Sequence, residues 1–490
     1  MAKKKLLTKK EYLAGLQCPK YLWTLHNEPE RIPKPDAYKQ HIIDQGHLVG
    51  EFAKKLFPEG IDIPADDFND NLRQTEELLL RRKPLFEAGF MVDSIFSRID
   101  ILKPVNRDEW DIVEVKSSAT VKEVYIHDVS FQKHCCEKYG IKIRNCFLAY
   151  INNKYIRQSE IAPEDLLTCT NITAKVAKTT NGIQKRIDNM LSIISSNKCP
   201  DATISKQCNT PDDCPLIECW DFLPETNVFD LYRGGKKTFE LFEKGIYSLK
   251  DIPNDFILNG KHKIQRNCEI SGEPHIEKEP IRLFLNTLEY PLHYLDFETF
   301  NTAIPLFDDT RPYQQVPFQF SLHVVDTSSA IPKHYSFLAD GTTDPRPEFI
   351  ASLKKVLGNN GSIVVYKQSF EKGILKALGT IFPKYNNWVE NLNDRIVDLL
   401  VPFQSFHYYD TRQKGSASIK NVLPVLTGTS YNQLDISDGT SASLAFLDIV
   451  SSNLAEEERI KIREDLDKYC TLDTEGMMWI VNKLKEFIAK

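Results

Sequence analysis

The sequence predicts an α/β protein with two large regions joined by a small helical connector. Three observations support this prediction. The chain has 490 residues, which is too long for one ordinary core. Strand-like and helix-like patterns alternate on both sides of the middle. Residues 223–290 carry short helical signals followed by a polar stretch, at 259–280, that is typical of a connector. We therefore expect domains at 1–222 and 291–490, with 223–290 between them.

Composition and charge limit the class of protein. Hydrophobic residues make up 41% and charged residues 27%, as in soluble globular proteins, and no run approaches the roughly 18 apolar residues of a membrane span. The basic N-terminus lacks the apolar segment and cleavage site of a secretion signal, so we expect a cytoplasmic protein without a membrane partner. The net charge of −6 argues against a uniformly basic nucleic-acid coat but permits a local basic channel.

The N-terminal region contains a predicted hydrolytic site on two neighbouring strands. Residues 97–102, SRIDIL, bring Asp100 into an apolar run, and residues 111–118, DIVEVKSS, bring Glu114 and Lys116. Glu114 and Lys116 share a face because successive strand side chains alternate. Asp100 and Glu114 are suited to bind Mg²⁺ or Mn²⁺, with a water polarised between the cation and Lys116. This pattern predicts a site for phosphodiester hydrolysis.

The same residues resemble the signature of the PD-(D/E)XK nuclease superfamily, an Asp followed by Glu-x-Lys. Gln132 lies on the next predicted helix, HDVSFQKHCCEKYG, where RecB-like members carry a Gln that supports the site. The resemblance implies a restriction-endonuclease-like domain. RecB-like nucleases commonly offer a metal-binding His upstream, where this sequence has Gly50. His47, Glu51 and Glu87 are therefore further candidates for that ligand.

Three clustered cysteines and one distant cysteine predict a metal staple. Cys208, Cys214 and Cys219 lie within twelve residues, and Cys18 lies far upstream in LQCPKYLW. Four thiolates can bind zinc or an iron-sulfur cluster, and spacing alone does not choose. The layout resembles RecB-like nucleases whose iron-sulfur cluster is held by one cysteine before the core and three after it. That resemblance implies a 4Fe-4S cluster, with zinc as the alternative. The other seven cysteines were assigned no role.

The C-terminal region contains a second acidic pattern. Asp296 and Glu298 share one face of the strand HYLDFETF, and Tyr469 and Asp473 share one face of the last helix at i and i+4. Together they resemble the tyrosine-containing DEDD group of DnaQ-like 3′-to-5′ exonucleases, which implies an RNase H-like domain. There four carboxylates hold two divalent cations, so Asp296, Glu298 and Asp473 are expected metal ligands. Tyr469 would orient the attacking water.

The remaining carboxylate of this pattern has two candidates. In SIVVYKQSFEKGIL, Glu371 stands where the DnaQ-like family has Asp, and Lys367 where it has Asn. Asp398, at the end of the strand-like RIVDLL, is the reserve candidate, although an Asp there is often a turn or cap residue.

The leading interpretation is a metal-dependent nuclease with two hydrolytic sites. An exonuclease acting on single-stranded DNA is expected ahead of an endonuclease or an RNA-directed enzyme, because both resembled groups act mainly at ends or on single strands. The alternative is a nucleic-acid-binding scaffold in which one or both sites have lost catalysis. The wider sequence resembles a bacterial family that fuses RecB-like and DnaQ-like domains.

Overall fold

The computed structural model describes residues 6–451 and 454–489, which form two compact units. Unit 1 contains residues 6–221 and the later segment Thr302–Gln314. Unit 2 contains Phe222–Asn301 and the described residues from Gln315 onward. Both units combine strands and helices around buried apolar residues, so the predicted mixed α/β class is confirmed. Within the described ranges, no helix has both the length and the apolar character that crossing a bilayer requires.

Unit 1 is built on a seven-stranded mixed sheet. Its strands are β1 (Leu7–Thr8), β2 (Ile61–Asp62), β3 (Leu85–Val92), β4 (Ile95–Pro104), β5 (Glu109–Lys116), β6 (Lys142–Ile151) and β7 (Leu167–Asn171). They follow the order β2-β3-β4-β5-β6-β7, and β1 pairs in parallel with β4. The predicted neighbours β4 and β5 are antiparallel, with Ile101 opposite Val113. Asp100 and Glu114 are the next residues beyond this pair, one on each strand.

Helices α1 and α5 carry side chains towards these two strands. The α-helices in the described part of unit 1 are α1 (Lys9–Gln17), α2 (Pro19–Asn27), α3 (Ala37–Lys54), α4 (Phe68–Leu79), α5 (Glu123–Tyr139), α6 (Pro163–Leu166), α7 (Thr173–Thr180) and α8 (Ile183–Ser195). A capping box between Thr8 and Glu11 fixes the start of α1. Tyr12 of α1 stacks on Phe131 of α5, with ring centroids 4.8 Å apart. This contact holds the first turn of α1 close to the middle of α5.

Unit 2 contains a five-stranded sheet with β9 at its centre. The strands of this unit are β8 (His275–Ile276), β9 (Leu292–Phe300), β10 (Val316–Val325), β11 (Lys333–Leu338), β12 (Ile363–Val365), β13 (Ile396–Asp398) and β14 (Tyr408–Tyr409). The order is β11-β10-β9-β12-β13, and β8 pairs separately with β14. Phe297 packs on Phe349 in the apolar core, with ring centroids 5.1 Å apart. Asp296 and Glu298 therefore point to the opposite face of β9.

Helix α18 covers that opposite face. The α-helices in the described part of unit 2 are α9 (Lys236–Glu243), α10 (Gly260–Ser271), α11 (Lys278–Leu285), α12 (Arg346–Val356), α13 (Ser369–Ile381), α14 (Asn386–Asn393), α15 (Val401–Gln404), α16 (Ile419–Thr427), α17 (Gly439–Ser451) and α18 (Glu456–Ala489). The predicted long terminal helix is confirmed by α18, which has 34 residues and packs against β9 and β10.

The polar stretch 259–280, which the sequence places in the helical connector, contains α10. The side chain of Asn259 caps this helix by accepting from the backbone N–H of His262, and Gly272 ends it with a left-handed φ of 73°. Its buried face is largely polar: Gln265 accepts from the backbone N–H of Tyr232 at 2.8 Å. Without an apolar period, the sequence pattern missed a helix that tertiary hydrogen bonds stabilise.

Candidate metal and catalytic sites

The candidate site of unit 1 lies where β4, β5 and α5 meet. Glu114 is fully buried. Its carboxylate accepts hydrogen bonds from Lys116 Nζ and from Gln132 Nε2, each at 2.6 Å. Asp100 Oδ2 accepts from the backbone N–H of Val115 at 2.8 Å. The structure thus brings together Asp100, Glu114, Lys116 and Gln132, the residues that the sequence selected in this region.

Two further charged residues, Asp128 and Lys9, lie in the same cluster and were missed by sequence reasoning. Asp128 precedes Gln132 by one helical turn and approaches Lys116 Nζ at 2.9 Å. Lys9 Nζ lies 3.1 Å from Glu114, 3.7 Å from Asp128 and 3.9 Å from Asp100, measured to carboxylate oxygens. The i, i+4 spacing of Asp128 and Gln132 was readable in HDVSFQ. Lys9 gave no local signal, because it reaches the site through the packing of α1 on α5.

The two predicted metal ligands of this cluster, Asp100 and Glu114, have pKa values displaced in opposite directions. Burial, and then the neighbouring Glu114 carboxylate, raise the pKa of Asp100 to about 7. Burial also disfavours the charged form of Glu114, but Lys116 and Lys9 outweigh it and hold the pKa of Glu114 well below its ordinary value. Burial acts against both ammonium groups too, yet the carboxylates keep the pKa of each lysine raised. At neutral pH Glu114 is therefore an anion, and Asp100 is the carboxyl group closer to protonation.

A cavity of about 250 Å³ opens beside Asp100. Its lining includes the three α3 residues His47, Gly50 and Glu51, together with Glu87 of β3. A Cβ atom added at Gly50 would meet no other atom within 4 Å. The open space beside Gly50 is thus where a longer side chain at that position would lie. His47 is exposed on the same helix.

Glu87 interrupts the ladder between β3 and β4. The register passes from Phe86 to Ala88 without pairing Glu87, whose φ of 58° lies in the left-handed region. A residue other than glycine costs about 1–3 kcal/mol in such a conformation, and these strained positions concentrate at functional sites. Burial raises the pKa of the Glu87 carboxyl, and Arg98 Nε lies 3.3 Å from it.

The four cysteines selected from the sequence are electrostatic neighbours in unit 1. Burial raises the pKa of the Cys18 thiol, and Cys208 and Cys219 add to this effect. Burial raises the pKa of Cys214 to about 11, with contributions from the other three thiols. The side chain of Gln17 donates to two backbone carbonyls of the loop that carries the three later cysteines, at 2.9 and 2.7 Å. These hydrogen bonds hold the loop against the end of α1.

In unit 2 the acids of β9 meet the side chains of α18. One ligand atom each from Asp296, Glu298 and Cys470 lies within 4.8 Å of the other two. Asp473 and Tyr469 lie on the same helix, and Asp473 acts electrostatically on both β9 acids. The structure therefore brings Asp296, Glu298, Tyr469 and Asp473 into one buried cluster. The sequence assigned no role to Cys470.

Lys420 and Tyr431 complete this cluster and were not selected from the sequence. Lys420 Nζ donates to Tyr469 Oη at 3.1 Å and to the backbone carbonyl of Ser437. It also lies over the rings of Tyr431 and Tyr469, 4.7 and 4.6 Å from their centroids. Tyr431 Oη donates to Asp473. Lys420 lies in the stretch GSASIKNVLP, where the spacing indicated no chemistry.

Glu371, and not Asp398, has a buried carboxylate oxygen without a hydrogen-bond partner. Glu371 stands in the first turn of α13, is 1% exposed, and has an Oε2 atom without a hydrogen-bond partner. It acts electrostatically on Asp296 and Glu298. A buried, unpaired carboxylate oxygen is costly unless something compensates it.

Asp398 acts instead as a backbone cap. Its Oδ1 accepts from the N–H groups of Lys367 and Leu400 at 2.8 and 3.0 Å, and its Oδ2 accepts from Gln368 at 3.1 Å. These bonds fix the turn that leads from β12 into α13.

The carboxyl groups of the unit 2 cluster repel one another. Burial, and then Asp473, raise the pKa values of Asp296 and Glu298 well above the ordinary range. Burial raises the pKa of Asp473 to about 6 and that of Glu371 to about 8. Without an added cation, several of these groups are protonated at neutral pH.

Comparisons with known proteins cover part of this chain. The model of a domain of unknown function, DUF2779, matches residues 293–418, which include Asp296, Glu298, Glu371 and Asp398. Two relatives are the uncharacterized protein MG366 of Mycoplasma genitalium and its homolog in Mycoplasma pneumoniae. They are 26% and 28% identical over 224 and 219 residues, which is 42% and 40% of this chain.

A third relative is the uncharacterized protein UU173 of Ureaplasma parvum, which is 24% identical over 264 residues, or 50% of this chain. The aligned parts cover 33% of the M. genitalium protein, 32% of the M. pneumoniae protein and 37% of the U. parvum protein, so the chain spans about a third of the length of the curated relatives it matches.

Proposed function

We propose that this protein is a metal-dependent nuclease that hydrolyses phosphodiester bonds at two sites and acts as an exonuclease on single-stranded DNA. In this proposal unit 1 is a RecB-like, restriction-endonuclease-like domain, and unit 2 is a DnaQ-like, RNase H-like domain. The buried cluster of Asp296 and Glu298, on which Asp473 and Glu371 act electrostatically, carries the proposal.

The residues of unit 2 fit a divalent cation. Buried carboxylates that raise one another's pKa need positive charge, and the unpaired oxygen of Glu371 is a ready ligand. Carboxylate oxygens are the ligands that Mg²⁺ and Mn²⁺ prefer. When bound, such a cation supplies Lewis acidity and lowers the pKa of a water ligand. Asp296, Glu298, Asp473 and Glu371 would hold it.

The surrounding side chains have roles of their own in this proposal. Tyr469, whose hydroxyl accepts from Lys420, is held in one rotamer and would orient the attacking water. The Lys420 ammonium would stabilise negative charge that develops on the phosphate oxygens. Tyr431 fixes the orientation of Asp473 through its hydrogen bond. Each of these groups already has a defined position, which favours catalysis by a preorganised site.

The cluster of unit 1 supports a second hydrolytic site. Asp100 and Glu114 would hold Mg²⁺ or Mn²⁺, Lys116 would activate the nucleophile, and Gln132 fixes the Glu114 carboxylate. The four neighbouring cysteines would hold a 4Fe-4S cluster, with zinc as the alternative. Because this staple links α1 to the loop at 206–220, its loss should destabilise unit 1.

One observation favours the alternative function for unit 1, a nucleic-acid-binding scaffold without catalysis. The ammonium group of Lys9 lies among the acids that would bind the cation. Gly50 also leaves open the space where related nucleases offer a His. Both features weaken metal binding in unit 1 and leave unit 2 untouched.

End-labelled oligonucleotides test the proposal. Purified protein is incubated with single- and double-stranded DNA and with RNA, in the presence of Mg²⁺ or Mn²⁺ and in a chelator control. We expect metal-dependent shortening from an end, fastest on single-stranded DNA. If the protein binds single-stranded DNA but cleaves no substrate with either metal, the scaffold alternative replaces the nuclease.

A further inference from the structure

The thiol of Cys470 lies among the carboxylates of unit 2. Its Sγ is 3.9 Å from Asp296 Oδ2, and one ligand atom from each of Asp296, Glu298 and Cys470 lies within 4.8 Å of the others. Cys470 is fully buried, so its surroundings are fixed by the packing of α18 on β9. A sulfur ligand and two carboxylates therefore already stand together in the separation that a single cation needs.

The surroundings of Cys470 differ from those of another buried thiol in unit 2. Cys268 belongs to a mostly apolar cluster with Phe406 and Tyr409 and has the ordinary role of a small core residue. Cys470 instead faces the carboxyl groups of Asp296, Glu298 and Asp473. The comparison separates a packing role from a ligand role within one unit.

A second feature concerns the same two acids. The Oε2 atom of Glu371 is buried without a hydrogen-bond partner, and Glu371 acts electrostatically on both Asp296 and Glu298. A buried, unpaired carboxylate oxygen that acts on two further carboxyl groups favours a bound cation.

We propose that Asp296, Glu298 and Cys470 form a mixed oxygen and sulfur site that takes a thiophilic divalent cation, such as Zn²⁺ or Co²⁺, in preference to Mg²⁺. The inference rests on the proposed function in that both place a divalent cation on Asp296 and Glu298. Thiolate ligands select zinc-like ions, whereas Mg²⁺ binds oxygen ligands almost exclusively. On binding, the Cys470 S–H bond breaks, its proton passes to solvent, and its electron pair forms the bond to the cation.

Cobalt binding to the full chain tests this site, because thiolate ligation of Co²⁺ gives a sulfur-to-metal absorption band. The titration compares the unaltered protein with Cys470→Ser and Cys470→Ala, and with Cys268→Ser as the matched control. The four cysteines of unit 1 are common to all samples and cancel in difference spectra. We expect both Cys470 variants to lose the part of the sulfur-to-metal absorbance that one thiolate ligand contributes. Both should also bind Co²⁺ roughly tenfold more weakly at this site. Cys268→Ser should match the unaltered protein, and Mn²⁺ binding should survive in Cys470→Ser.

Two results would overturn the inference. One is a Co²⁺ spectrum and affinity that are unchanged in both Cys470 variants. The other is a Cys470-dependent band that persists in Asp296→Asn with unchanged affinity, since the cation would then lie elsewhere. Because no nucleic acid is used, failure here is distinguishable from failure of the proposed nuclease. A chain that cleaves nothing but shows the Cys470-dependent band keeps the site and loses only the enzymatic proposal.

Discussion

The two acid clusters of this protein differ in how their charge is compensated. In unit 1, the carboxylates of Asp100, Glu114 and Asp128 face the ammonium groups of Lys9 and Lys116 at distances of 2.6 to 3.9 Å. Most of the negative charge is therefore balanced by side chains of the same unit.

Among the described residues of unit 2, the acidic side chains outnumber the ammonium groups that act on them, which are Lys420 and, for Glu371, Lys367. Lys420 acts on Asp296, Glu298 and Asp473, but it also donates to the Ser437 carbonyl and the Tyr469 hydroxyl. The comparison teaches that unit 2 depends more strongly on an added cation.

The largest expected effect separates the two candidates for the third acid of unit 2. In an Asp100→Asn background, which silences unit 1, Glu371→Gln should lower the cleavage rate roughly 1,000-fold, about 4 kcal/mol of transition-state stabilisation. Asp398→Asn should keep the rate within about threefold, because Asp398 accepts backbone hydrogen bonds, but it should lose about 2 kcal/mol of stability. Single-turnover rates on labelled single-stranded DNA provide the test. Equal rate losses would contradict the assignment of Glu371.

The pH dependence of stability should differ between the units. The pKa values of about 6 for Asp473 and about 8 for Glu371 are raised, so the folded state binds more protons than the unfolded state. The stability contributed by these protons is present below pH 4 and is lost as the pH rises through 6 to 8. The loss should amount to several kcal/mol, on the order of 5, since a pKa displacement of one is worth about 1.4 kcal/mol.

Urea unfolding of metal-free protein between pH 5 and pH 8 measures this dependence. Saturating Mn²⁺ should flatten the profile, and Asp473→Asn should reduce its slope. In unit 1, Glu114 is ionised in both the folded and the unfolded state over this range and adds no slope, whereas the raised pKa of Asp100 adds a slope of the same sign as in unit 2. A metal-free unit 2 that gains stability from pH 5 to pH 8 would refute the unequal compensation of the two clusters.

The ammonium group of Lys9 should contribute to the stability of unit 1 in the absence of metal. Lys9→Met leaves buried carboxylates less compensated and should lower the free energy of unfolding by about 2 kcal/mol in a chelating buffer. Mn²⁺ should restore part of this loss. Lys10→Met, at the neighbouring exposed position of α1, is the matched control and should change little. If both variants unfold alike, the contacts of Lys9 do not stabilise the cluster.

The smallest of these effects concerns the orientation of water in unit 2. Tyr469→Phe, in the Asp100→Asn background, should lower the cleavage rate about tenfold while metal binding is retained. Tyr366→Phe is the control, because Tyr366 Oη donates to the backbone carbonyl of Ala417 and has a structural role. Single-turnover rates at saturating Mn²⁺ distinguish the two. A larger loss in Tyr366→Phe would contradict the role proposed for Tyr469.

Features with a local period were predictable from the sequence. Asp296 and Glu298 share a strand face, and Tyr469 and Asp473 share a helix face, because period 2 and the i, i+4 spacing are properties of short segments. The same is true of the strands that carry Asp100 and Glu114, and the mixed α/β class followed from alternating patterns.

Features that depend on tertiary packing were not predictable. Lys9 and Lys420 reach their acids from distant parts of the chain, and a lysine has no local signature that separates an ion-pair role from a solvated one. Nothing in the position of Cys470 along α18 distinguished it from a buried core residue of that helix. The choice between Glu371 and Asp398 required the backbone hydrogen bonds of Asp398, which no sequence pattern reports.

The most direct test of the central claim is metal-dependent cleavage of a 5′-labelled single-stranded DNA by four proteins: the unaltered chain, Asp296→Asn, Asp100→Asn and the double variant. We predict that the unaltered protein cleaves with Mg²⁺ or Mn²⁺, that Asp296→Asn has the larger single effect, and that the double variant is inactive. Full activity in the double variant, or no cleavage by the unaltered protein with either metal, would contradict the account.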